Sequence, residues 1–286
     1  MGRVHTKSGI DSAIAKALTS VRVAQRAGVG LWLEAVNEMR RRVVLAIAQG
    51  GPLTPYTADA LKNQVRAITE QFTQKFYDQL SENQRRLFVK GLRVVDEAVA
   101  SADLRLAIPH LSEATLKQAQ SFGAELVTNL TDYARGQIAQ QIDLAVLGQK
   151  PLEETLAGIG TNLKDSSIFS SIAQRAETIY KTEVNRIANL ATDERLKQAA
   201  GQIPDIQKRW VHSHVGIPRA GHLLLDNVTI PADEQFTLMG RDGKTYLIDM
   251  PHDPSLPAGE TVNCRCQIVP VVARHARDPD IRVEMP

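Results

Sequence analysis

The 286-residue sequence predicts a mainly α N-terminal helical arm followed by a small α+β domain with short antiparallel strands and Pro-rich loops. Two observations predict this fold class. Apolar residues recur at steps of three and four along the first half of the chain, which is typical of amphipathic helices. Prolines instead cluster between Pro204 and Pro257, where short apolar runs alternate with turn residues.

The helical arm is predicted to begin with a helix over residues 8–49 that breaks at the segment RAGVG, Arg26–Gly30. Thr57 caps a second helix after a Gly- and Pro-containing turn. Ser81 opens a third helix, which fades near residue 101, and Ser112 caps a fourth, which ends at Gly148. A short helix over 152–159 and a long helix over 171–200 follow a Ser-rich joint.

The remaining segments predict strands and loops. The segment IQKRWVHSHV (206–215) is typical of a strand, and FTLMGRDGKTYLID (236–249) predicts a hairpin around Asp242-Gly243. The segment TVNCRCQIVPVV (261–272) predicts a closing strand. We therefore expect a helical arm over residues 1–165, a compact domain over 166–272 and a polar tail over 273–286.

The overall charge does not mark the chain as a nucleic-acid binder, because the formal net charge is +2. Residues 1–50 nevertheless carry eight Lys or Arg against three Asp or Glu. A solvated helix face explains this excess more simply than a phosphate- or partner-binding face. The candidate nucleic-acid or partner-binding residues are Arg22, Arg26, Arg40, Arg41 and Arg42.

Other sequence features exclude some classes of protein. The N-terminus lacks a secretory signal, and there is no apolar run of ~18 residues that could span a bilayer. The chain has two cysteines, which do not make a disulfide framework and indicate a reducing compartment. We expect a protein made in cytoplasm, without a membrane partner. Common enzyme motifs such as a Walker A loop, HExxH and GxSxG are absent from the sequence.

The two cysteines, Cys264 and Cys266, are the most informative candidates. On a strand they share one face with Cβ atoms roughly 6–7 Å apart, which is too far for an unstrained disulfide. Packing without a metal is one interpretation, and a zinc site with His212, His214 and His222 is another. A third is a nucleophile, with Cys264 beside His222 and Asp226. Packing as small apolar side chains is the interpretation we favour.

Polar residues near His222 predict a structural role. Arg219 and His222 are three apart, so they are neighbours on one helical turn, and their donors could tie that turn to loop carbonyls. Asp226-Asn227 sits where the chain reverses, and Asn tolerates positive φ better than most residues. Asn263, just before Cys264, suits a bond between its side chain and the backbone.

The order of landmarks resembles the phage head morphogenesis family named for the F protein of phage Mu. These landmarks are Lys181-Thr182-Glu183 in a long helix, Lys208-Arg209-Trp210-Val211 in a strand, Pro218-Arg219-Ala220-Gly221-His222 in a turn, then Asp226-Asn227-Val228, Phe236, Asp253-Pro254 and finally Asn263-Cys264-Arg265-Cys266. The resemblance covers about residues 150–272. In three places the sequence departs from the family pattern: Lys181 replaces the usual arginine, Asn227 replaces the usual glycine, and the acidic residue expected shortly before Arg219 is missing.

The resemblance implies a structural minor head protein of a tailed phage, made in the host cytoplasm and placed inside the head. Its implied partners are the portal protein, the major capsid protein and packaged double-stranded DNA. It implies no enzymatic activity and a structural role for the Asn-Cys-Arg-Cys segment. An ejected effector enzyme, nuclease or ADP-ribosyltransferase-like, is the alternative. We favour the structural role because twenty residues follow Cys266, fewer than the ~50 of a small domain.

Overall fold

The computed structural model describes residues 7–106, 113–148, 150–213 and 219–272. The predicted fold class is confirmed: long helices occupy the N-terminal region, and a small region with short antiparallel strands follows. The five long or intermediate helices are α1 (Lys7–Gln49), α2 (Pro55–Ala100), α3 (Glu113–Val146), α4 (Leu152–Ile159) and α5 (Ile168–Ala200).

Two of the predicted helix breaks are wrong. Helix α1 runs without interruption through Arg26–Gly30, because Gly28 packs closely rather than ending the helix. A Cβ at Gly28 would lie 1.5 Å from the hydroxyl of Tyr180. Helix α2 likewise continues past Ser81, since Leu80 and Leu87 both stay buried at helical spacing. The predicted end of α3 holds, with Gly148 at φ +70°.

The described residues divide into two compact units. One unit takes its residues from 22–88 and 111–187, and the other from 1–21, 89–110 and 188–286. In the first unit Trp32 contacts Phe76 and Tyr180, with ring centroids 5.1 and 5.2 Å apart. The predicted contiguous boundary after residue 165 stays a prediction.

The second unit contains five strands and two short helices. The strands are β1 (Gln207–Val211), β2 (Thr229–Pro231), β3 (Phe236–Met239), β4 (Thr245–Ile248) and β5 (Gln267–Val271), and the short helices are α6 (Ala220–Leu224) and α7 (Ala258–Thr261). One antiparallel sheet has the order β2-β1-β5, and β3 pairs with β4 as a hairpin. Gly243 has φ +76° in the predicted hairpin turn.

Two predicted strands are longer than the structure shows. Strand β1 ends at Val211 because the His212 amide donates to a side chain, Asp226 Oδ1, at 2.8 Å. Strand β5 begins at Gln267, so Cys264 and Cys266 precede it. The cause is a turn in which Asn263 has φ +59° and the Cys264 amide donates to Thr261 at 3.1 Å. The two cysteines still point inward, with Arg265 exposed between them.

A buried ionic group lies in the same unit. Lys208 in β1 is fully buried, and its Nζ donates to Asp193 Oδ1 and to the Asp249 carbonyl, both at 2.9 Å. Lys197 Nζ lies 2.8 Å from carboxylate oxygens of both Asp193 and Asp249. A buried lysine needs such partners because the charge has lost its water.

Candidate functional site

Three side chains of the small strand-containing unit meet in its interior. His222 on α6 and the two cysteines before β5 have ligand atoms within 4.8 Å of one another. His222 Nδ1 lies 3.5 Å from Cys264 Sγ and 3.7 Å from Cys266 Sγ. All three residues are buried, and the two thiols are not joined in a disulfide. We call this group the Cys-His cluster.

The orientation of His222 is fixed by a carboxylate. Its Nε2 lies 3.1 Å from Glu260 Oε2, and Glu260, on α7, is also buried. A carboxylate oxygen accepts hydrogen bonds, so this contact suits a proton on Nε2. The other ring nitrogen, Nδ1, faces the two sulfur atoms.

Glu260 is itself held in place from two sides. The Arg241 amide donates to its Oε1 at 2.8 Å, and Arg219 Nε lies 3.8 Å from its Oε2. Arg219 also donates to the Gly259 carbonyl at 2.8 Å and to the Val262 carbonyl at 2.5 Å. Arg219 therefore ties its turn to two loop carbonyls that flank Glu260. His222, for which the same kind of contact was predicted, meets the Glu260 carboxylate instead.

Aromatic packing closes the Cys-His cluster on another side. The Trp210 ring meets His222 edge-on with centroids 5.5 Å apart, and it meets Phe236 at the same distance. Trp210 is fully buried and belongs, with both cysteines, to one hydrophobic core. The cluster is therefore part of the core rather than of a cleft.

The pKa values of the two thiols move apart. The pKa of Cys264 is lowered well below its ordinary value, chiefly by the hydrogen bond from the Cys266 thiol. Burial opposes this shift, and the neighbouring imidazoles of His222 and His252 lower the pKa further. The pKa of Cys266 is raised by its hydrogen bond to Cys264 and by burial. The contact between the two thiols therefore favours ionisation of Cys264 over ionisation of Cys266.

Sequence reasoning missed two residues of this site, Glu260 and His252. His252 follows β4 in a turn, has φ +65° and is completely buried. Neither of its ring nitrogens has a hydrogen-bond partner in the part of the chain that the structure describes. His252 is also among the groups that lower the pKa of the Cys264 thiol. Both residues lie in the Pro-rich segment PHDPSLPAGE (251–260), which also holds the landmark Asp253-Pro254, so that segment was the available signal.

Other predicted site residues lie outside the Cys-His cluster. His212 is buried but does not belong to it, and His214 lies outside the described residues. The nucleophile interpretation assigned the orienting carboxylate to Asp226, which is wrong. Asp226 accepts the His212 amide, because the reversal at Asn227 (φ +64°) brings it back against β1, and Glu260 orients His222 instead.

The Lys181-Thr182-Glu183 motif makes contacts along its own helix, α5. Lys181 pairs with Glu177, and the Thr182 hydroxyl donates to the Thr178 carbonyl at 2.8 Å. Glu183 is buried, with Arg186 Nη1 3.4 Å from its carboxylate. The Lys181 replacement therefore keeps an ion pair within the helix.

The arginines of α1 fall into two sets. Arg41 and Arg42 both pair with Glu38, and Arg40 donates to Asn37 and to the Thr161 carbonyl. Arg22 and Arg26 are exposed. The assignment of these five arginines to nucleic-acid or partner binding stays a prediction. Arg41 and Arg42 are exposed as well, but both are paired with Glu38.

We expect Arg219→Ala to lower the free energy of unfolding by about 1–3 kcal/mol, because two loop carbonyls lose their donor. Thermal or denaturant unfolding of the full chain measures this. Arg241→Ala is the matched control, because Arg241 contributes its backbone amide to Glu260 and that amide survives the substitution. Equal stability of the Arg219→Ala chain and the unchanged chain would contradict the structural role.

Comparison with known proteins places this site in a known sequence family. Residues 135–269 match the family described as phage Mu protein F like protein. Residues 135–269 form a phage Mu F-like region. This Mu F-like region contains His222, His252, Glu260 and both cysteines, and it confirms the resemblance drawn from the landmarks.

Two curated relatives match part of the chain. An uncharacterized protein, YqbB of Bacillus subtilis (strain 168), is 35% identical over 121 residues, which are 41% of this chain and 37% of that protein. The NAD(+)–arginine ADP-ribosyltransferase EFV of Enterococcus faecalis (strain ATCC 700802 / V583) is 27% identical over 135 residues, 44% of this chain and 26% of that protein. The matches thus span well under half of each relative.

Two further comparisons give negative results. No solved structure matches this chain. Among the described residues, the helices include none whose length and apolar character would let it cross a membrane.

Proposed function

We propose that this chain is a structural minor head protein of a tailed phage, bound inside the head near the portal and needed for head assembly or infectivity. The observation that carries the proposal is the Mu F-like region over residues 135–269. The portal protein is the first partner, and the major capsid protein and packaged double-stranded DNA are further ones. The chain acts by binding and not by turnover.

The geometry of the Cys-His cluster supports a structural role for its residues. Cys264, Cys266 and His222 are 3%, 2% and 1% exposed. A nucleophile must reach a substrate atom, and a thiol enclosed by Trp210 and the loop carrying Glu260 does not. The Cys-His cluster joins α6 to the segment before β5, and the contact of His222 with Glu260 adds α7. The cluster therefore holds short elements together.

The helical region supports the docking part of the proposal. Helix α1 is 43 residues long and α2 is 46 residues long, so each presents an extended surface. Arg22 and Arg26 lie one turn apart on α1 and are exposed. We assign contact with an acidic partner, a protein surface or packaged DNA, to this face of α1.

Incorporation into particles tests this function. A phage that encodes the chain is deleted for the gene and complemented with the unchanged chain or with an Arg22→Glu, Arg26→Glu chain. We expect the unchanged chain in purified DNA-filled heads at a fixed small number per particle, and a loss of incorporation in the double variant. Arg66→Glu with Arg85→Glu is the control, since these exposed arginines of α2 give the same charge change.

Two results would refute the proposal. One is full infectivity of particles that lack the chain. The other is incorporation of the Arg22→Glu, Arg26→Glu chain at the same level as the unchanged chain, which would show that this face of α1 does not dock onto the head. Since one relative is an ADP-ribosyltransferase, purified chain is also incubated with labelled NAD+ and host extract. We expect no transfer of label, and transfer that depends on the chain would establish the enzyme alternative.

A further inference from the structure

The Cys-His cluster has the spacing of a metal site. A tetrahedral zinc ion with bonds of about 2.3 Å to sulfur and 2.0–2.1 Å to nitrogen separates these two atoms by about 3.6 Å. His222 Nδ1 lies 3.5 and 3.7 Å from the sulfur atoms of Cys264 and Cys266. We infer that His222, Cys264, Cys266 and His252 bind one structural zinc ion.

The surroundings of His222 are those of a metal ligand. Nδ1 faces both sulfur atoms, while Nε2 bonds to Glu260 at 3.1 Å. Metal-binding histidines almost always donate their second nitrogen to a carboxylate, carbonyl or water, which fixes the tautomer and the ring orientation. Glu260 is held in turn by the Arg241 amide and by Arg219, so the carboxylate that orients His222 is itself fixed in position.

His252 supplies the fourth ligand. A buried imidazole normally has a hydrogen-bond partner, because an unsatisfied polar group in the core costs free energy. His252 is 0% exposed, and within the described residues neither nitrogen has such a partner. It is not a member of the 4.8 Å group of the other three, so binding the same ion requires its ring to move toward them.

The ligand set indicates which metal is bound and what it does. Two thiolates and two imidazoles suit zinc, and structural zinc sites have all four positions filled by protein. The ligands come from α6, the turn after β4 and the segment before β5. These elements are short, and a metal that links them holds them in place where they have few backbone hydrogen bonds of their own. This inference stands apart from the proposed head function, and it favours the zinc alternative over simple packing of the thiols.

The first test measures zinc in the full chain, purified without a histidine tag or chelators. We expect one zinc per chain by elemental analysis. Removal of the metal with a chelator should lower the melting temperature, and added zinc chloride should restore it, since metal binding is coupled to folding. Cobalt chloride added to the metal-free chain should give the visible absorption of tetrahedral, thiolate-bound cobalt.

Variants test the individual ligands. His252→Asn removes the imidazole but keeps a residue that tolerates positive φ, so the turn can still form. We expect the His252→Asn chain and the Cys264→Ser chain each to retain less than half of the zinc that the unchanged chain binds. Glu260→Gln should weaken zinc binding by roughly 10–100-fold in a competition with a chelator. His212→Asn is the matched control, because His212 is a buried histidine outside the cluster, and its zinc content should be unchanged.

The inference is overturned by a zinc content near zero together with a melting temperature that added zinc does not change. Unaltered zinc content in His252→Asn would remove His252 as the fourth ligand. Loss of zinc from the His212→Asn chain, with its fold intact by circular dichroism, would identify His212 as the fourth ligand in place of His252. Variants that do not fold do not decide the matter, because the cobalt spectrum of the unchanged chain reports the coordination directly.

Discussion

Asp193→Ala should lower the free energy of unfolding by about 3–5 kcal/mol, because it removes the carboxylate that pairs directly with the buried Lys208 ammonium. Lys208 is 0% exposed and lies 2.9 Å from Asp193. The carbonyl of Asp249 and the ring of Phe236, 5.6 Å from Nζ, remain. The Asp249 carboxylate also interacts with Lys208, but its ion pair is with Lys197, so it does not replace Asp193. Denaturant unfolding of the full chain measures the loss.

Two companion variants separate the buried pair from its surroundings. Lys197 also bonds to Asp193 but is 39% exposed in its side chain. Burial lowers the pKa of Lys197, yet its hydrogen bonds with Asp193 and Asp249 raise it overall, so the side chain stays charged. Lys197→Ala should cost no more than about 1 kcal/mol, as for other partly exposed pairs.

The double variant Asp193→Leu, Lys208→Met should recover most of the stability that Asp193→Ala loses, because apolar residues of similar volume often replace a buried ion pair without loss. If Asp193→Ala and Lys197→Ala destabilise the chain equally, the ionic role assigned to Lys208 is incorrect.

Gly221→Ala should cost about 3 kcal/mol, at the upper end for overpacking a core site. A Cβ at Gly221 would lie 2.0 Å from the Met239 carbonyl oxygen and 3.1 Å from its carbon. The obstacle is backbone of β3, which cannot rotate away as a side chain does. Either α6 or β3 must move, and His222, the next residue along α6, moves with it.

Gly259→Ala provides the control for this prediction. Gly259 lies on α7, and a Cβ there would meet no atom within 4 Å. We expect it to change the unfolding free energy by less than about 0.5 kcal/mol. Thermal and denaturant unfolding measure both variants. A Gly221→Ala chain as stable as the Gly259→Ala chain would show that α6 is free to shift, and the geometry given for His222 would then not be fixed.

Local patterns in the sequence were sufficient for much of the fold. The helical periodicity located the five helices, and Asp242-Gly243 located the hairpin, since both signals depend on neighbours along the chain. Periodicity failed where local and tertiary effects compete. Gly28 suggested a break in α1, but the approach of Tyr180 explains why a glycine stands there. Ser81 suggested a new helix, but the buried stripe of α2 continues through it.

The candidate site was predicted only in part. The landmark motifs led to His222, Cys264 and Cys266, which the structure brings together. The sequence could not rank the seven histidines of the chain as partners of the thiols. His212 and His214 were candidates because they would share one face of the predicted strand over 206–215. His252, twelve residues before Cys264, was not a candidate, although it lowers the pKa of that thiol.

By itself, the sequence determined the fold class, the turn positions and the membership of residues 135–269 in a phage Mu F-like region. The tertiary structure alone decided that Glu260 orients His222, that Asp193 compensates Lys208 and that Gly221 must lack a side chain. The physical reason is the range of the interactions. Helices and turns are set by residues a few positions apart, whereas burial, ion pairing and metal geometry join residues that meet only when the chain has folded.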